Sequence, residues 1–114
     1  MGKPLLKHQL IQEKVARSLA HIQAALLLAK RAVDLSERGD LTMGQASMIK
    51  AYCTLLGREV VALAREVMGG DGILLHNQAI KHLNDMEVAF TGEGTYDINM
   101  LVAGREVTGY SAFN

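Results

Sequence analysis

The residue of this chain best suited to moving a proton is a glutamate held between two glycines. In Gly92-Glu93-Gly94-Thr95 neither neighbour shields the carboxylate, and a helical stretch follows at once. A carboxylate so presented can project into a cleft and, once desolvated there, act as a general base. The same residues also describe a solvated acid in a first helical turn, where the macrodipole favours negative charge; on local grounds that is the simpler reading. The second candidate is Gly69-Gly70-Asp71-Gly72. Clustered glycines let a backbone come close to another molecule. They also end helices, and this cluster lacks the preceding strand and following helix of a phosphate-binding loop, so helix termination is the simpler reading here too. The third is His8-Gln9 near a helix start, a position that suits a surface or partner contact. His21, His76 and His82 have no metal-ligand spacing, so no metal is expected, and His21 reads as a core or interface residue. No Ser/His/Asp or Cys/His pattern is legible. Cys53, beside Tyr52 and close to Leu55-Leu56, reads as a buried packing thiol rather than a reactive one.

Composition limits what these residues can serve. Twelve basic and twelve acidic side chains cancel, which leaves no electrostatic footprint for nucleic acid and no polybasic membrane patch. A single cysteine excludes an internal disulfide framework and points to an intracellular, reducing compartment. The longest apolar run, residues 24–29, falls far short of the roughly 20 residues a membrane span needs. No signal peptide is legible at the start, and Leu6 stands where a myristoylation motif wants Ser or Thr. The ending Ser111-Ala112-Phe113-Asn114 is not a peroxisomal address, so cytoplasm, mitochondrial matrix and peroxisome all stay open.

The elements that must position the candidates are helices. The chain has 114 residues, 49% of them hydrophobic, and one proline, Pro4; that fits one domain, 1–114, of long uninterrupted helices. A first helix is expected from Leu5 to Arg38, with Ile11, Val15, Leu19, Ile22, Leu26, Ala29 and Val33 on one apolar face, ended by Gly39 in a left-handed cap. A second starts at Thr42, whose spacing to Gln45 is that of a capping box. It carries Ala46, Ile49, Cys53, Leu56, Val60, Leu63 and Val67, and stops at Gly69-Gly70. A short third helix is expected over 78–86. After a break at 90–95 comes a fourth over 95–108, with Ile98, Leu101, Val102 and Arg105 on one face. The tail from Gly109 is expected to fray unless Tyr110 and Phe113 dock. No period-two pattern lasts long enough for a strand. The expected fold is all-α, an antiparallel up-and-down four-helix bundle.

Taken in order, three of these segments resemble the C-terminal helical domain of the acyl-CoA dehydrogenase and acyl-CoA oxidase family. Gly2-Lys3-Pro4-Leu5 with His8-Gln9-Leu10-Ile11-Gln12 is similar to its opening, and residues 64–73, Ala64-Arg65-Glu66-Val67-Met68-Gly69-Gly70-Asp71-Gly72-Ile73, to its glycine-rich flavin segment. Glu93-Gly94-Thr95-Tyr96-Asp97-Ile98-Asn99 with Gly104-Arg105 is similar to its catalytic segment. Residues 104–109 most resemble the glutaryl-CoA dehydrogenase and short-chain acyl-CoA oxidase branch.

The resemblance implies an FAD-dependent α,β-dehydrogenation of an acyl-CoA thioester. Glu93 would take the α-proton and the β-hydrogen would pass as hydride to flavin N5, giving a trans-2-enoyl-CoA. It implies that Thr95, with Asp97 and Asn99, faces the flavin, and that Gly94 and Arg105 face the substrate. It further implies that His8, Gln9, Glu66, Gly69 and Gly70 touch a flavin bound mainly by a neighbouring subunit, in a homodimer or homotetramer assembled through the helical bundle. Gly92 departs from the family, which usually has Tyr before the base, and so removes a pocket wall and a restraint on Glu93. The family's N-terminal helical and middle β domains have no counterpart in these 114 residues, so the isolated chain is expected neither to hold FAD well nor to turn over substrate. The alternative is a catalytically inactive helical oligomerisation module that keeps the fold.

Overall fold

A computed structural model describes residue 2 and residues 4–111. Among these residues there is no strand, and four α-helices carry the fold: α1 (Gln9–Glu37), α2 (Met43–Val67), α3 (Ala79–Thr91) and α4 (Tyr96–Thr108). Short 3₁₀ turns occupy Leu5–Lys7, Gly69–Ile73 and Leu75–Asn77.

Local chemistry sets most helix ends where the sequence places them. At the start of α2 the Thr42 hydroxyl accepts from the Gln45 amide at 3.2 Å, and the Gln45 carboxamide accepts from the Thr42 amide at 3.1 Å. This closes the capping box and satisfies donors that have no helical partner. Gly39, at φ +75°, reverses the chain after α1, while the Asp40 amide returns to the Leu35 carbonyl at 2.9 Å. Two boundaries differ from expectation. α1 begins at Gln9 rather than Leu5, because His8 is extended (φ −92°, ψ 129°) after the first 3₁₀ turn. α3 continues five residues past Met86, to Thr91. The extension is held from outside: Arg58 Nε reaches Glu87 at 2.6 Å, and the Arg58 guanidinium lies 4.3 Å from the centre of the Phe90 ring.

α2 is the hub. α1, α3 and α4 each pack along it, and they pack little on one another. α1 and α2 form a hairpin through the short turn at Gly39. On another side of α2, Glu87 of α3 pairs with Arg58, while Glu106 of α4 reaches Gly44. Both segments therefore run antiparallel to α2, one after the other, like a single helix broken at Gly92–Thr95. The four helices so form three rows rather than the closed bundle expected from helix count, because α3 and α4 share one row. The molecule is accordingly long, 59 × 26 × 23 Å. Its radius of gyration is 17.4 Å, against about 13 Å for a compact domain of this length.

The buried residues follow the hub. Ile49, Leu56 and Leu63 on the expected stripe are buried, and so are Gly44, Ser47 and Ala51 on the side where the third row packs. Small residues there let backbones approach: a methyl group on Gly57 would lie 2.8 Å from the Met86 sulfur.

α1 differs from expectation. Its less exposed residues are Ile11, Lys14, Ser18, His21, Ala24, Ala25, Leu28, Ala32, Asp34 and Leu35, most of them rotated away from the strongest apolar stripe. Of that stripe, Val15, Leu19, Ile22, Leu26 and Val33 are 42–59% exposed. Polar contacts line the seam that results. Lys14 pairs with Glu66, His21 Nε2 lies 2.9 Å from Glu59 Oε2, and the Cys53 thiol points to the Ala25 carbonyl at 3.5 Å. Burial pushes the Cys53 thiol up, away from the reactive thiolate, in keeping with a packing role. Tyr110 is exposed, and Phe113 lies outside the described residues.

Candidate active site

The Gly92–Thr95 break lies against the first half of α2, at Lys50. Gly92 closes α3, its amide donating to the Val88 carbonyl at 2.8 Å. Glu93 and Gly94 then both take positive φ, +54° and +90°. A glutamate in the left-handed region is uncommon, and such strain persists only where surroundings hold it. Thr95 restarts the helix, its hydroxyl accepting from the Ile98 amide at 3.3 Å.

The turn is held from two sides. The Asn99 side-chain nitrogen faces the carbonyls of Gly94 at 2.8 Å, Thr95 at 3.0 Å and Glu93 at 3.4 Å. From α2, Lys50 Nζ donates to the Gly94 carbonyl at 2.5 Å and the Phe90 carbonyl at 3.2 Å. Phe90 also stacks on Tyr96 with ring centres 5.9 Å apart, bridging the break. The Glu93 carboxylate itself is exposed and has no hydrogen-bond or ion-pair partner among the described residues. A rigid backbone thus presents a free carboxylate, the arrangement a proton acceptor needs, while the dry walls of a pocket would have to come from outside this chain.

The residues singled out from sequence fall into two groups. Glu93, Gly94, Thr95, Asp97 and Asn99 gather at the break. Asp97 is exposed in the first turn of α4, whereas Asn99 is buried and its side-chain nitrogen bonds backbone carbonyls, so it holds the segment. His8, Gln9, Glu66, Gly69 and Gly70 gather at the opposite end of α2, where α1 begins. Sixteen residues of α2 between Lys50 and Glu66 correspond to about 24 Å. There the hydrogen bond and charge of Lys14 hold the Glu66 carboxyl below its usual range.

The glycines of that second group divide by role. Gly72 packs so closely that a methyl group would meet the Arg65 carbonyl at 2.3 Å, whereas one on Gly69 or Gly70 would meet nothing within 4 Å. Gly72 therefore serves packing. Gly69 and Gly70 leave bare, exposed backbone, and His8 and Gln9 are exposed as well.

Arg105 joins neither group. It lies about 14 Å of helix beyond Tyr96 and lines a groove of about 420 Å³ with Met43, Gly44, Val102, Glu106 and Gly109. Next to it, Glu106 caps α2, accepting from the Gly44 amide at 2.9 Å and the Thr42 hydroxyl at 2.5 Å. Sequence reasoning missed Lys50 and Glu106. The only local signal for Lys50 was a cation within the small, apolar run Ser47–Ala51; Glu106 acts across a separation of 62 residues and left none.

Among the described residues no three His, Cys, Asp or Glu side chains gather as metal ligands, and no helix is long and apolar enough to cross a membrane.

Residues 1–108 match the model of the acyl-CoA dehydrogenase C-terminal domain. Among solved structures, the chain is similar to a glutaryl-CoA dehydrogenase from Mycobacterium smegmatis, with 30% identity and a TM-score of 0.94. It is also similar to a glutaryl-CoA dehydrogenase from Mycobacterium smegmatis in complex with FADH2, with 32% identity and a TM-score of 0.88. Each match covers 100% of this chain and 30% of the other.

Proposed function

Since the chain belongs to the acyl-CoA dehydrogenase family as its C-terminal helical domain, we propose that it supplies the general base for the α,β-dehydrogenation of an acyl-CoA thioester. The observation that carries this reading is Glu93: a partnerless carboxylate on a strained, doubly fastened turn. FAD, when bound, supplies the hydride acceptor. Glu93 takes the proton from the substrate α-carbon, and the β-hydrogen departs with its electron pair, leaving a trans-2-enoyl thioester. Thr95 would line the flavin held beside this base, with Asp97 exposed next to it. Gly94 would lie against the thioester and Arg105 further along the acyl-CoA. His8, Gln9, Gly69 and Gly70, with Glu66 beside them, would border a second flavin, that of a neighbouring subunit. Support for two separate flavin contacts comes from the length of α2 between the groups.

The test uses the chain joined to the family's other two domains, loaded with FAD and mixed anaerobically with short acyl-CoA thioesters, glutaryl-CoA included. Bleaching of the oxidised-flavin absorbance is expected. Flavin that binds and stays oxidised with every thioester would sink the reading. That outcome would favour the second one, an oligomerisation module without chemistry, which the exposed Glu93 and the bare Gly92 before it also suit.

Assembly through a second copy of this chain follows from the same reading. Two grooves run along the α1–α2 seam, of about 370 and 500 Å³, lined by Ile22, Leu26, Cys53 and Val60 and by Val15, Leu19, Leu63 and Val67. No large side chain among the described residues is fully buried, so the apolar surface far exceeds what the chain covers by itself. Laying the α1–α2 pair of a second copy against this face would complete an antiparallel four-helix bundle between subunits. Sedimentation velocity should find a dimer or tetramer, and Leu19→Glu with Leu26→Glu should yield a monomer of unchanged helicity. A monomeric parent chain would count against this face as a self-association surface.

A further inference from the structure

We infer that Lys50 is the positioning residue for Glu93, anchoring the turn that carries the carboxylate to the hub helix. The inference rests on the reading of Glu93 as the base for its consequence in catalysis, though not for its geometry.

α3 ends at Thr91, so its last carbonyls lack helical partners. Two residues later the chain enters consecutive positive-φ residues, Glu93 and Gly94. The Lys50 ammonium meets one carbonyl on each side of Glu93: Phe90 before it at 3.2 Å and Gly94 after it at 2.5 Å. Asn99 also holds this turn, but from α4, six residues further along the same row. A tie from Asn99 fixes the shape of the turn and moves with it. Lys50 belongs to α2 and reaches the turn across separations of 40 and 44 residues. Among the described residues it is the one side chain of α2 hydrogen-bonded to this turn. Lys50 thus fixes where the turn sits, and with it the direction of the Glu93 side chain. Its hydrogen bonds are charge-assisted and partly buried, so the two carbonyls lose a strong partner when it is removed.

The test measures amide hydrogen exchange by NMR in the 114-residue chain, wild type against Lys50→Met, which keeps the apolar stem and loses the donors. The Gly92 amide bonds to the Val88 carbonyl and the Asn99 amide to the Thr95 carbonyl, so both report on the break. Their exchange should quicken about ten- to hundred-fold, with the resonances of Glu93 and Gly94 displaced, while the Ala46 amide at the start of α2 keeps its protection. Lys50→Arg, retaining a cation with several donors, should restore part of the protection. Unchanged exchange and resonances at Gly92–Asn99 in Lys50→Met would overturn the inference. If Lys50→Met does not fold, Lys50→Gln, which keeps an uncharged donor group on a shorter stem, decides. Faster exchange confined to the break supports the inference, and an equal change at Ala46 overturns it. In the FAD-loaded protein Lys50→Met should lower kcat with little change in KM. Flavin reduction that survives Glu93→Gln would remove the base reading and leave the amide result for Lys50 standing.

Discussion

Glu93→Gln in the FAD-loaded protein is expected to slow flavin reduction by acyl-CoA by at least about 10²–10⁴-fold, the usual contribution of a positioned general base. Folding should change by no more than about 0.5 kcal/mol, as for an ordinary surface substitution. Both expectations come from the same geometry. The carboxylate has no partner among the described residues, so replacing it by an amide of equal size breaks no contact. The turn is held through carbonyls of residues 90 and 93–95, which the substitution leaves in place. Flavin should therefore remain bound and the melting curve should superimpose on the parent's, while the first reductive phase in stopped flow collapses. Undiminished reduction in the variant would take the role of base away from Glu93. A loss of helicity along with the loss of rate would mean that the side chain is structural.

Gly94→Ala is expected to be the most damaging single-methyl change at the site. Its φ of +90° suits glycine, and the added carbon would lie 2.8 Å from the Asn99 side-chain nitrogen. Backbone strain accounts for about 1–2 kcal/mol, and displacing Asn99 from carbonyls that are partly buried for another 1–3 kcal/mol. At roughly 4–8 °C per kcal/mol for a domain of about this size, the melting midpoint should fall by about 8 °C or more. Two controls separate the contributions. Gly39 has φ +75° with nothing within 4 Å of the added carbon, so Gly39→Ala reports the strain alone. Gly70 has open space and needs no positive φ, so Gly70→Ala should stay within about 0.5 kcal/mol of the parent. Equal losses for Gly94→Ala and Gly39→Ala would show that the Asn99 network adds nothing to stability.

The comparison between Gly39 and Gly94 also marks how far the sequence could be read. Gly39 ends a helix by a local rule, and its cap was legible from its place after the last apolar residue. The same holds for Thr42 and Gln45, whose reciprocal bonds span three residues. Glu93 was legible as a candidate because glycines flank it, and it gained a role only through the order of three motifs along the chain. The fastening of its turn was not legible. α3 was expected to end near Met86, since nothing in the residues after it shows that Arg58 of another helix will hold Glu87 and Phe90.

Sequence alone determined the helical class, the second helix with its cap and stripe, the glycine stops, and the family to which the ordered motifs point. Each depends on interactions within about four residues, or on motif order, which the chain carries in one dimension. Tertiary structure decided the rest: which face of α1 meets α2, that α3 and α4 form one broken row, and that the candidate site residues divide into two groups. It also decided that Lys50 stands behind Glu93. The reason is that these choices depend on contacts between residues far apart along the chain, such as Lys14 with Glu66 and Lys50 with Gly94, 52 and 44 residues apart. A periodic pattern records that a helix has an apolar face; the partner across the seam determines how much of that face is covered.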